Sequence, residues 1–145
     1  MTKHPRPPLI SMLFEQQRWL DSKLLAALAE SGWSDLTRAQ SFVFGQIDAG
    51  CSNASEIAAR LNISRQAVNR TVGELVSAGY LKLHESPGQG NMRRISLTAK
   101  GKKIMHDAGT IFGQIEAEVE ASLGKDNFNQ LIQLLSRPWG RESSD

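Results

Sequence analysis

The chain has 145 residues, 40% of them hydrophobic and 22% charged, with a formal net charge of +2. That balance suits one folded domain, or one domain with an added oligomerisation layer, and excludes a disordered polymer. No apolar run approaches the ~18 residues of a membrane span, residues 1–8 lack the apolar core of a secretory signal, and Cys51 is a lone cysteine, so the expected setting is a reducing cytoplasm with no membrane contact.

Residues 1–8 read as a basic, disordered lead-in. Residues 9–31 read as a long helix, with Met12, Leu13, Leu20, Leu24, Leu25 and Leu28 on one broad apolar face and Gly32 as its stop. Thr37 followed by Gln40 is a capping-box signature, and the helix behind it carries Phe42, Val43, Phe44 and Ile47 before halting near Gly50. A third helix opens at Asn53, with Glu56 placed to reach back as in a capping box. Ile57, Ala58 and Leu61 form its stripe, and Asn62 suits the left-handed conformation that closes a helix. Ser64 is a good N-cap for a fourth helix, whose Ala67, Val68, Thr71, Val72, Leu75 and Val76 are spaced for burial, and Gly79 ends it.

The third and fourth helices, with a tight turn between them, have the layout of a helix-turn-helix. The outer face of the fourth presents Gln66, Asn69, Arg70 and Gly73 at i, i+3, i+4 and i+7, with Arg65 in the first turn beside Ser64. Gln and Asn pair bidentately with adenine and Arg with guanine in a major groove, while a Ser hydroxyl and a helix N-terminus suit phosphate. An isolated polar helix face is usually just a solvated one. Here the two-helix spacing and the segment behind it favour duplex DNA.

That segment is a hairpin. Residues 80–84 alternate apolar and polar as a half-buried strand does, residues 85–91 have loop composition, and residues 93–98 read as the return strand. Such a wing lies along a DNA backbone or enters a minor groove, with Arg93 and Arg94 as the contacts. Residues 100–123 form another long helical stretch, with Ile104, Ala108, Ile111, Ile115, Val119 and Leu123 as its stripe, widened by Met105 and Phe112. Gly124 breaks it, Asp126 is the expected cap of a last helix carrying Phe128, Leu131, Ile132, Leu134 and Leu135, and Pro138 closes that helix.

Charge is partitioned along this layout. Residues 60–103 hold nine Lys or Arg against Glu74 and Glu85, a local +7, and the remainder carries −5. Phosphate binding needs that local density whatever the net charge. The terminal helices exceed what a winged helix requires, and their apolar faces must be buried somewhere. Mutual burial in a two-fold homodimer sets two recognition helices about one DNA turn apart, ~34 Å, as palindromic half-sites demand.

The ordered set of segments resembles the MarR (multiple-antibiotic-resistance-regulator) family of bacterial transcription factors. The telling pieces are Leu36-Thr37-Arg38-Ala39-Gln40, Ser55-Glu56-Ile57-Ala58, Ile63-Ser64-Arg65-Gln66-Ala67-Val68-Asn69-Arg70, Leu75-Val76-Ser77-Ala78-Gly79-Tyr80-Leu81 and Leu97-Thr98-Ala99-Lys100-Gly101. The resemblance spans residues 9–136. It implies a mainly α fold with a small β-hairpin wing: a winged helix-turn-helix DNA-binding lobe over 34–98 and a helical dimerisation region from 9–33 and 99–137. It also implies a sequence-specific dimeric transcriptional regulator, a repressor relieved by a small-molecule effector bound between lobe and dimer region. The family's wing often carries an Asp-x-Arg tip. Here the tip is Gly88-Gln89-Gly90-Asn91-Met92-Arg93, without Asp, so both Arg93 and Arg94 remain candidates for the groove.

Other signals are weaker. Cys51 has no cation or second cysteine beside it in sequence, which favours an incidental thiol over a redox sensor. His4, His84, His106 and Cys51 lack ligand spacing for zinc, and Gly88-Gln89-Gly90 sits in a hairpin rather than between strand and helix, so no metal or cofactor is expected. Trp33 and Phe44, near the expected lobe-to-dimer hinge, are the aromatics proposed to line an effector pocket, although core packing is the commoner fate of such residues. No nucleophile, base and orienting group fall into a catalytic order, so an enzyme is not expected. The alternative is a winged-helix protein-interaction module without DNA-binding activity.

Overall fold

A computed structural model describes residues 5–33, 36–85 and 93–140. Six helices and one hairpin follow in the order α1 (Leu9–Glu30), α2 (Arg38–Asp48), α3 (Ala54–Leu61), α4 (Arg65–Ser77), β1 (Leu81–Glu85), β2 (Arg93–Leu97), α5 (Ala99–Leu123) and α6 (Lys125–Leu135). The strands pair antiparallel, with Leu81 opposite Leu97 and Glu85 opposite Arg93. Of the expected lead-in over residues 1–8, residues 1–4 lie outside the described residues, as does the wing tip at 86–92. Among those described, no helix is long and apolar enough to cross a membrane.

The helix ends follow from local chemistry. Thr37 and Gln40 close a full capping box on α2. At α3 only half of one forms. Asn53 accepts from the Glu56 N–H, but the Glu56 carboxylate accepts from the Ser52 N–H and the Asn53 amide instead of the Asn53 backbone. Ser64 caps α4 by accepting from the Ala67 N–H at 3.1 Å. The first four helices all close with paired 6→1 and 5→2 hydrogen bonds: Trp33, Cys51, Ile63 and Tyr80 donate to Leu28, Gln46, Ala58 and Leu75. The residue before each donor bends left-handed. Asn62 does so at φ 54°, where its short polar side chain tolerates the geometry, and Gly79 at φ 85°. One expectation fails here. Asp126 is not the cap of α6, since Gly124 holds that position and Asp126 lies in the first turn, where its charge still complements the helix dipole.

The core sits where α2, α3, α4 and the hairpin converge and continues between α1 and α5. Ile57, Val68 and Leu75 are fully buried, with Val43, Leu81 and Ile104 close behind. Each such side chain contributes about 1.5–3 kcal/mol through burial. The recognition-helix stripe is narrower than its spacing suggests, because Ala67 is exposed while Val68, Val72 and Leu75 carry the packing. Leu83 is also exposed, so β1 alternates only in part. The α1–α5 layer is tied by Lys23 with Glu118 and by Trp33, whose indole N–H donates to Asp107 at 2.8 Å. Asp21, nearly buried on α1, sits 2.5 Å from the Arg38 Nε on α2, an ion pair without an aligned hydrogen bond.

The two ends of the chain are different. Leu9, Ile10, Leu13, Phe14, Trp19 and Leu20 on α1 are exposed, and α6 buries no residue at all while showing Leu131, Ile132, Leu134 and Leu135.

Candidate nucleic-acid interface

The recognition helix α4 is held from below. Its apolar stripe packs on α2 and α3. Its C-terminal end is joined to α5 by a cluster of short contacts. The Thr98 hydroxyl caps α5 by accepting from the Gly101 N–H at 3.0 Å, and donates to the Gly79 and Tyr80 carbonyls at 2.6 and 3.1 Å. The Lys100 ammonium donates to the Ala78 carbonyl at 2.7 Å and lies 4.3 Å above the Tyr80 ring. Gly101 lies so close to the Tyr80 carbonyl that a β-carbon there would collide with its oxygen. The segment Leu97-Thr98-Ala99-Lys100-Gly101 is therefore a clasp: one residue caps both helix ends, one neutralises a helix C-terminus, and one permits the approach.

With α4 fixed in this way, Ser64, Arg65, Gln66, Asn69 and Arg70 are all exposed. Ser64 spends an oxygen lone pair on its cap, which leaves its O–H to donate. The Arg70 side chain is 84% exposed and reaches Glu74 at 3.6 Å, an exposed i, i+4 pair weak enough to yield to a phosphate or base. Glu74 also accepts from the Gln40 amide of α2 at 3.2 Å, a tie that sequence reading missed because the residues stand 34 positions apart. The wing is anchored to the same unit. The Ile95 N–H donates to the Ser52 carbonyl at 2.7 Å, extending the hairpin's hydrogen bonding onto the α2–α3 connection. His84 and Ser96 meet across the strands at 2.6 Å. Arg93 and Arg94 are exposed at the start of β2, next to the tip. The result is one face carrying exposed amide and guanidinium donors, flanked by exposed cations.

A second feature lies on the far side of the lobe. Leu24 and Leu28 of α1, Phe44 of α2, and Ile104, Ala108 and Phe112 of α5 enclose a cavity of about 130 Å³. Phe44 lines it. Trp33 does not line it, and is instead fixed by Asp107 with the Lys103 ammonium 5.1 Å from its ring. Donation from the Trp33 indole, helped by Lys103 and His106, holds the Asp107 carboxyl below its usual value. Phe44 meets Tyr80 edge-on at 5.6 Å, so the cavity wall touches the residue that closes α4. Among the described residues no three His, Cys, Asp or Glu side chains gather as a metal site, and the Cys51 thiol is buried.

The family model described as MarR matches residues 34–90, the stretch that holds α2, α3, α4 and β1. Over nearly the whole fold the chain is similar to MarR from E. coli. In the reduced form the TM-score is 0.76 at 25% identity, covering 91% of this chain and 96% of that one. For a cysteine-to-serine mutant complexed with operator DNA it is 0.71 at 26% identity, covering 88% and 91%. The chain has the MarR fold, with a MarR family match across residues 34–90. The chain is also similar to the HTH-type transcriptional regulator BilQ of Clostridium symbiosum, 28% identical over 88 residues that span 61% of this chain but only 60% of that regulator's length. The fold also matches the Mycobacterium tuberculosis MarR family protein RV2887 in complex with salicylic acid, with a TM-score of 0.67 at 23% identity over 91% of this chain and 98% of that one. Beyond this shared MarR architecture, the clasp at Thr98–Gly101 and the Gln40–Glu74 tie are read from this chain's own contacts.

Proposed function

We propose that this protein is a homodimeric, sequence-specific DNA-binding transcriptional regulator, a repressor whose grip on a palindromic operator is relieved by a small-molecule effector. The observation that carries the reading is the division of α4. Val68, Val72 and Leu75 are buried, while Gln66, Asn69 and Arg70 stand clear on a module of local charge +7. Residues 34–98 serve as the DNA lobe, and residues 9–33 and 99–137 as the dimer region. The exposed apolar faces of α1 and α6 support that role, because a helix that buries nothing is not stable on propensity alone. The complex of E. coli MarR with operator DNA supports the choice of partner. The cavity behind Phe44 supports an effector site. It has about the volume of one aromatic ring, and RV2887, of the same fold, holds such a molecule in salicylic acid.

Fluorescence anisotropy on the DNA upstream of its own gene, titrated with salt, tests the proposal. Arg70→Ala is expected to lower affinity for the palindrome far more than for unrelated duplex, by roughly 1–3 kcal/mol. Arg94→Ala is expected to weaken binding evenly across sequences and reduce the salt slope by about 1. Undiminished binding by both variants overturns the assignment.

A further inference from the structure

The cavity has a chemical bias that its apolar walls conceal. Among the described residues the only ionisable side chain in its lining is an acid, Asp48, exposed at the C-terminal end of α2, and Ser41 of the same helix supplies the other polar side chain. Among the described residues Asp48 has no ion pair and no side-chain hydrogen bond. Of the basic residues near the lining in sequence, Lys23 pairs with Glu118, Arg38 with Asp21 and Lys103 with Asp107, while Lys102 and His106 are exposed on α5 and are not among the residues that line the cavity. A carboxylate entering here meets a like charge and no cation. An ammonium meets Asp48 and the half-exposed ring of Phe112.

The room is also built in. Gly45 of α2 and Gly109 of α5 both line the cavity from helix interiors. Glycine at such positions weakens a helix by about 1 kcal/mol relative to alanine. A β-carbon at either would meet nothing within 4 Å, so close packing does not require them. Their effect is to leave open space between α2 and α5.

We propose that this cavity takes a one-ring aromatic amine, with the ring between Phe44 and Phe112 and the ammonium at Asp48. The assignment rests on the effector-site reading above and fixes the charge that the ligand carries. Phe44 contacts Tyr80, so a ring seated there presses on the residue that closes the recognition helix.

Three probes of one shape separate the charge from the site: 2-hydroxybenzylamine, the neutral salicyl alcohol, and salicylate. Calorimetry on the full chain at neutral pH and low salt is expected to rank them in that order, with the amine about fivefold tighter than the alcohol. Asp48→Asn is expected to bring the amine down to the alcohol's affinity and leave the alcohol unchanged. Gly109→Leu fills the space and is expected to abolish binding of all three without lowering the unfolding temperature. Salicylate binding more tightly than the amine, or an amine indifferent to Asp48→Asn, overturns the charge assignment. The site itself still stands in that case if Gly109→Leu abolishes binding of the alcohol. No binding by any probe overturns both readings.

Discussion

Gly101 shows how much one residue decides. It sits in the first turn of α5 against the Tyr80 carbonyl and the Leu97 side chain, and the closest obstacle, the Tyr80 carbonyl oxygen, is backbone that cannot swing aside as a side chain would. Gly101→Ala is expected to destabilise the fold by about 3 kcal/mol, read as a lower denaturation midpoint, because backbone must move to admit a methyl. Trp33 works through a proton. Its indole donates to Asp107 and depresses that carboxyl, so the interaction favours the folded state at neutral pH. The sign follows from linkage: a depressed carboxyl contributes stability above its unfolded value and loses it as pH falls through the folded one. Trp33→Phe is expected to raise the Asp107 titration in a carboxylate NMR experiment. The stability gap between the two proteins is expected to narrow as the pH drops below the ordinary value of 3.8.

At the scale of elements, the helices were legible because each has its own start and stop signals within a few residues. Thr37, Asn53 and Ser64 cap as their side chains dictate, and Asn62 and Gly79 close as their backbone freedom permits. Asp126 misled for a related reason. An acidic residue near a helix start suits both the cap and the first turn, and Gly124, at a positive φ of 84°, already filled the first role. The clasp between α4 and α5 was invisible as geometry. Thr98 and Lys100 reach Gly79 and Ala78 from about twenty residues away, and only the folded chain brings a helix end and a helix start together. The polar face of α4 was legible as a pattern. Its rigidity rests on this clasp and on the Gln40–Glu74 tie.

For the whole molecule, the proposed dimer rests on the terminal helices. Among the described residues, the α6 face and the first half of α1 carry more exposed large hydrophobic side chains than the lobe does. Leu131→Asp places a charge in that face. It is expected to halve the solution mass from twice 16.0 kDa to a single chain, with helical content retained by circular dichroism. Operator affinity is expected to fall with it, since a lone lobe engages one half-site. By itself the sequence determined the element order, the caps of α2, α3 and α4, the local +7 and the polar face of α4, because these depend on neighbours within a turn or two of helix or on charge counted along the chain. Tertiary structure alone decided that Trp33 serves Asp107 rather than the cavity, that Arg38 holds Asp21, and that Asp48 stands, among the described residues, as the one charge lining the cavity. Those pairings join residues on different helices, and their distances are set by how the helices cross rather than by their order in the chain.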